Sequence, residues 1–290
     1  MQQIILDTIE TCPVQGKDVF LIGDMPSFAN RADSVPENND SRSSCRSGND
    51  WTGNVSYSDA VKMTREGDLK GVAMSDKYLQ RFEALAPMRG AWQVRDDVAG
   101  GVPNVQAFLA GTPLTMRRRE RVALETAPLA VAVDLVSSAT VSAEHLKKRG
   151  ALILALVRAL SATRPVELWV GGSATPMNKR QDGAWHVWTR LDTAPLDLAR
   201  AAHVMTCPAV SRGMIYATIT DEAKGSNDLH WPYSNHAWSR ANMRPVLSRV
   251  IGSGDMLTIA APHTNDELVN NPEQWFERML KEFGGLDHDA

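Results

Sequence analysis

At 290 residues the chain has room for one large domain or two modest ones. Its 43% hydrophobic and 22% charged residues are the composition of a globular protein and exclude a largely disordered one. A formal net charge of -3 gives no global pull toward nucleic acid or anionic membrane, and no apolar run reaches the roughly 20 residues of a membrane span.

The first residues, "MQQIILDTIETCPVQGKD", lack a basic region followed by a long apolar stretch, so no secretory signal is expected. Cys12, Cys45 and Cys207 are scattered and odd in number, which fits a reducing, intracellular setting better than a disulfide framework. "DVFLIGDM" (18–25) is a strand candidate. "ANRADSVPENNDSRSSCRSGND" (29–50) has almost no apolar residue and reads as a mobile linker closing an N-terminal segment 1–50.

Residues 51–121 read as a mostly helical part. Ser56 or Ser58 caps a helix through "DAVKMTREG", and Gly67 stops it. A second helix, "MSDKYLQRFEALAPM", is predicted with Ser75 or Asp76 as cap and an apolar face of Tyr78, Leu79, Phe82 and Leu85. "AWQVRDD" is strand or loop, and "VPNVQAFLAG" a short helix.

From 122 to 290 strand and helix patterns alternate. "VALETAPLAVAVDLV" is a strand with the near-continuous apolar run of a parallel sheet buried on both faces. "SAEHLKKRGALILALVRALSA" is a helix capped by Ser142. "PVELWVGGS" is a strand, "AWHVWTRLD" a half-exposed edge strand, and "APLDLARAAHVM" a helix. "GMIYATIT" and "DMLTIAAP" read as strands, and "NPEQWFERMLKEF" as a closing amphipathic helix. The predicted fold is α/β: a mostly parallel sheet in Rossmann-like layers flanked by helices, with a smaller, mostly helical N-terminal part. Ligands in such sheets sit at the carboxyl ends of strands, where Asp134 falls.

This order of elements, over roughly 122–287, resembles a von Willebrand factor A domain. In that family an Asp-x-Ser-x-Ser motif after the first strand, a later Thr and a later Asp hold a divalent cation. The resemblance implies Asp134, Ser138 and Thr193 as metal ligands, with magnesium the ion such a site would take. Val136 stands where the middle Ser belongs, and Ser137 is one residue off. His263, Thr264 and Asn265 stand where the last Asp belongs, Asp266 coming late. The motif is therefore degenerate, and Asp134 and Ser138 have the alternative task of capping the helix start.

A second resemblance, spanning about 50–285, rests on "DWTGNVSYSDAVKMTREGD", "GGVPNVQAFLAGTPLTM" and "CPAVSRGMIYATI". These segments are similar to an uncharacterised family of bacteriophage proteins, which implies a protein of the host cytoplasm or the virion and no particular mechanism.

Two basic stretches stand out. "TMRRRERV" places Arg117, Arg118 and Arg119 in succession, able to engage phosphates as guanidinium forks or to form a solvated charge cluster. "KGSNDLHWPYSNHAWSRANMRPVLSRVIGSG" (224–254) reads as a long irregular loop, interleaving His230, Trp231, Tyr233, His236, Trp238 and Arg240. Such a mixture suits base stacking, a protein-binding hot spot, or a lid on the sheet edge. No GxGxxG after a strand, GxxxxGK[ST], HExxH or GxSxG is present, so no catalytic residue is named and no cofactor beyond magnesium at the degenerate site is expected, a metal-assisted hydrolase remaining a third reading. "GGSATP" (171–176) precedes a turn and a strand, lacking the helix N-terminus of a phosphate loop. The sequence leads to a non-catalytic protein that binds a protein partner through loops at the carboxyl end of its sheet. The alternative is a single-strand nucleic-acid binder using Arg117–Arg119 and the aromatic stretch. No membrane association is expected.

Overall fold

The computed structural model describes residues 10–14, 17–83, 92–121, 128–174, 185–191, 193, 196–222, 236–252 and 254–284. Strands β1 (Glu10–Val14) and β2 (Lys17–Ile22) form a hairpin. Helices α1 (Met25–Asp33), α2 (Asp40–Ser44), α3 (Tyr57–Glu66) and α4 (Leu69–Glu83) follow. A small module then holds β3 (Trp92–Asp97), β4 (Val102–Pro103), α5 (Val105–Leu109) and β5 (Met116–Arg121). The chain continues through β6 (Leu129–Asp134), α6 (Ala143–Ser161), β7 (Val166–Ala174), β8 (Trp185–Leu191) and α7 (Leu198–Thr206). A π-helical turn (Val210–Ile215) runs into α8 (Tyr216–Glu222). The chain ends with α9 (His236–Val250), β9 (Met256–Ile259), α10 (Glu267–Asn270) and α11 (Pro272–Phe283).

Six strands form one sheet in the order β1-β2-β8-β7-β6-β9. The pairs β2/β8, β6/β7 and β6/β9 are parallel, while β1/β2 and β7/β8 are antiparallel. The fold is thus α/β with a mostly parallel sheet between helices, as the alternating pattern predicts. The two faces are covered unequally. On one, among the described residues, α9 lays Met243, Val246 and Leu247 on Val19, Leu21, Ala132, Trp188 and Met256. On the other, α1, α3, α4, α6, α7, α8 and α11 build the main core, which runs from Phe20 to Leu280 and so joins the first 50 residues to the last.

Helix α6 is the centre of that core. Every residue from Arg149 to Val157 is buried, which explains why its sequence is apolar all round rather than on one stripe. Ser142 caps it by accepting from the His145 N–H at 3.1 Å. Gly150 lets α7 approach closely, since a Cβ there would lie 1.9 Å from the Met205 carbonyl oxygen. Gly150→Ala is therefore expected to destabilise by about 1–3 kcal/mol through overpacking, although alanine gains up to about 1 kcal/mol in helix propensity. Urea denaturation checks this; a stabilised variant would show that the two helices can part without cost.

Five sequence expectations change. The polar stretch 29–50 is packed, not a linker: Ala32, Val35 and Cys45 are buried, and Asn39 accepts from the Ser41 and Arg42 N–H groups to start α2. Strand β8 is interior rather than an exposed edge, because β2 pairs with its outer side and His186 to Thr189 are buried. "GMIYATIT" is helical, with Val210 to Ile219 buried continuously; burial on all sides hides the helical period. Residues 236–250, expected to be irregular, form α9 with Pro245 inside it. Helix α4 starts at Leu69, so Ser75 lies within it, donating to the Val72 carbonyl at 2.9 Å instead of capping.

Candidate functional site

Asp134 ends β6, flanked by β7 and β9, where alternation turns its side chain to the α9 face along with Ala132. The carboxylate is fully buried. Its Oδ1 accepts from the Val136 N–H at 3.0 Å, and its Oδ2 from the Ser173 and Ser239 hydroxyls, each at 2.8 Å. Ser239 also accepts from the Ala261 N–H at 3.1 Å. One carboxylate thereby ties together the ends of β6 and β7, the first turns of α9 and the segment after β9. Burial pushes its pKa up to about 6, against the lowering pull of the Ser239, Ser173 and Val136 hydrogen bonds and of the Arg149 charge.

Val136, where the metal motif requires a serine, is a packing residue. A Cβ on Gly172 would lie 2.1 Å from Val136 Cγ2, and one on Gly171 would lie 2.0 Å from the Val187 carbonyl oxygen. The Gly-Gly pair in β7 therefore serves close packing.

Two buried guanidinium groups close the rest of this end of the sheet. Arg149 of α6 donates to Asp134 O at 3.4 Å, to Ala260 O, and to Asp266 Oδ2 at 2.8 Å. Arg212, on the π-helical turn, donates to Ser137 Oγ at 3.1 Å, to Trp51 O at 2.5 Å, to Ser138 O at 3.2 Å and to Val141 O. Its guanidinium carbon also lies 5.1 Å from the centroid of the Trp51 ring. Burial lowers the Arg212 pKa to about 10, which leaves it cationic at neutral pH. The loop after β6 is thus organised by a fixed cation.

The three residues expected to share a metal do not meet. Ser138 Oγ bonds to Thr140 Oγ1 at 2.9 Å and accepts from the Thr140 N–H at 3.2 Å, next to Arg212. Thr193 donates to Val166 O, at the first residue of β7, whereas Asp134 pairs in register with Gly171. Five residues of strand separate the two positions, about 17 Å at 3.3 Å per residue. The cause is the antiparallel β7/β8 pair, which returns the chain to the amino end of β6 and β7 before Thr193. Among the described residues no group of three His, Cys, Asp or Glu side chains could hold a metal ion.

The basic stretches fare differently. Arg117 and Arg118 are exposed on β5, Arg117 being 3.6 Å from Asp96. Arg119 lies in the same strand opposite Val94, its side chain outside the described residues. His230, Trp231 and Tyr233 lie outside the described residues, and so do the side chains of His236, Trp238 and Arg240, whose backbone begins α9.

What β5 belongs to is unexpected. Strands β3, β5 and β4 form a three-stranded sheet of their own, and from Asp96 to Arg118 no residue is buried. Val105, Phe108 and Leu109 share one face of α5 at helical spacing. Phe108 and Leu109 are 70% and 79% exposed, with Val98 and Val102 also exposed nearby in sequence. Among its described side chains this arm has an apolar surface and no buried residue.

A family model described as a domain of unknown function, DUF7192, matches residues 14–284. The chain belongs to the DUF7192 family. Neither a curated protein nor a solved structure matches it. The DUF7192 match runs from the end of β1 to the end of α11, so it takes in the arm as well as the sheet. No described helix of this DUF7192 chain is long and apolar enough to cross a membrane.

Sequence reasoning reached Asp134 and missed Ser173, Ser239, Arg149 and Arg212. Ser173 was signalled by its place at the end of a strand neighbouring β6. Arg212 carried no signal, because its segment reads as a strand and its acceptors are backbone carbonyls that no side-chain motif reports.

Proposed function

We propose that this chain is a non-catalytic binding or assembly protein that engages a protein partner through the arm 92–121. The observation that carries the reading is the exposed apolar face of α5. A helix of five residues with Phe108 and Leu109 in water has no stability of its own, and three short strands do little to support it. Apolar faces of this kind mark interaction sites. At the carboxyl end of the sheet Asp134, Arg149 and Arg212 are engaged in internal hydrogen bonds, and residues 224–235 of the rim expected there lie outside the described residues.

The order β8-β7-β6-β9, with Asp134 ending β6, supports a degenerate von Willebrand A-like reading of the sheet in which a guanidinium does the organising work of the missing cation. The sequence resemblance to bacteriophage proteins supports a setting in the host cytoplasm or on the particle.

The test is a photo-crosslinking residue in place of Phe108, expressed in the native producer. A discrete protein adduct is expected, and it should vanish with Leu109→Asp while the melting temperature changes little. Adducts with nucleic acid, or none, would overturn the reading. The rival reading, a single-strand nucleic-acid binder, is favoured by the arm's formal charge of +2, from five arginines less three acidic residues in 92–121. Fluorescence anisotropy with a labelled oligonucleotide at two salt concentrations separates them, since phosphate binding weakens steeply with salt.

A further inference from the structure

We propose that the free edge of β9 takes an extended peptide from a partner protein as an added strand, at a site separate from the arm. Among the described residues β9 is the last strand of the sheet and pairs with β6 alone. The Ala130 N–H donates to Asp255 O at 2.9 Å, and Ala130 is in register with Met256. In a parallel ladder successive residues turn their backbone groups to opposite sides. Leu257 and Ile259 therefore bond β6, and the N–H and C=O groups of Met256 and Thr258 point away from it.

Those groups open into a groove of about 380 Å³, the size of a ligand pocket, floored by Met256 to Ala260. Helix α11 lines it on one face of the sheet, and Arg244 of α9 on the other. A row of alternating backbone donors and acceptors in such a groove is complementary to one thing, the backbone of an extended chain.

The walls define the side chains of that chain. On the α11 side the half-buried Phe283 lies beside Trp275 and Met279, which are buried in the main core. On that side Arg278 forks onto Glu267 at 2.7 and 2.8 Å, Arg149 holds Asp266, and the exposed Glu282 adds a further carboxylate that keeps acidic residues of a peptide away from this wall. On the α9 wall Arg244 is exposed and has no carboxylate partner among the described residues. Side chains of an added strand alternate between the two walls. The fitting peptide carries apolar residues toward α11 and an acidic residue toward Arg244.

The experiment pans a library of random displayed decapeptides on the full chain and on Thr258→Pro. Proline at 258 removes a groove-facing N–H and leaves the β6 ladder, which uses 257 and 259, in place. Peptides alternating apolar and acidic residues are expected, binding Thr258→Pro at least tenfold more weakly and losing the acidic preference on Arg244→Glu. No enrichment, or equal binding to Thr258→Pro with N-methylation of alternate peptide residues having no effect, would overturn the proposal. So would a dimer that Thr258→Pro dissolves, because the edge would then belong to a second copy. Arg244→Glu is an exposed substitution and keeps the test valid where Thr258→Pro fails to fold. Crosslinking at Phe108 reads the arm independently, so either idea can fail alone.

Discussion

Arg212→Met is expected to lower the melting temperature by about 10 °C and to cost about 3–5 kcal/mol in urea denaturation. The side chain is 1% exposed and faces no carboxylate among its hydrogen-bond partners, so the loss is not that of an ion pair. Three carbonyl oxygens and the Ser137 hydroxyl lose a shared donor together, and each buried group left unsatisfied costs about 1–3 kcal/mol. Methionine fills a similar volume but donates nothing, and the contact with the Trp51 ring weakens. Arg212→Lys should recover less than half of the loss: an ammonium on a flexible stem cannot span acceptors on Trp51, Ser137, Ser138 and Val141 at once. If Arg212→Met melts within about 2 °C of the wild type, the loop after β6 holds its shape without the cation, and the view of the guanidinium as organiser fails.

That role also shows what a single sequence conveys. The short apolar runs of "PVELWVGGS" and "DMLTIAAP", the apolar run of β6 and the capped start of α6 are local patterns, and each maps onto the observed element. The α/β class with a mostly parallel sheet follows from their alternation, whereas the order of the strands does not. The placement of Asp134 at the carboxyl end of an inner strand was legible for the same reason.

What failed was long-range or hidden by burial. Residues 29–50 look too polar to fold because most of their ordering comes from Asn39, Arg42 and Tyr57 hydrogen bonds and from four buried side chains, Ala29, Ala32, Val35 and Cys45. The segment 210–219 is buried all round, and without a polar face a helix has no period to read. Thr193 was misplaced because its position depends on β8 running antiparallel to β7, a tertiary choice with no local mark.

The largest pH effect should come from Asp134. Its carboxyl is fully buried with a pKa near 6, against about 3.8 when exposed in the unfolded chain. Between these values the folded protein keeps the proton and the unfolded chain releases it, so unfolding becomes easier as pH rises. The stabilisation is complete below about pH 4 and lost once pH passes 6, a total of about 3 kcal/mol. Asparagine keeps the shape and does not titrate. The stability of the wild type relative to Asp134→Asn should therefore fall by about 2 kcal/mol from pH 4.5 to pH 7, measured by paired urea titrations. A difference that stays flat would mean that the carboxyl ionises in the fold as readily as in water. Asp134→Ala should be worse than Asn at every pH, because Val136 N–H, Ser173 and Ser239 all lose their acceptor and α9 loses its tie to β6 and β7. Magnesium should leave the wild-type melting temperature unchanged. Three of the carboxylate's lone-pair sites already accept hydrogen bonds, and Thr193 stands at the far end of the strands, so a cation arriving at Asp134 would have to break the junction that holds the sheet's carboxyl end closed.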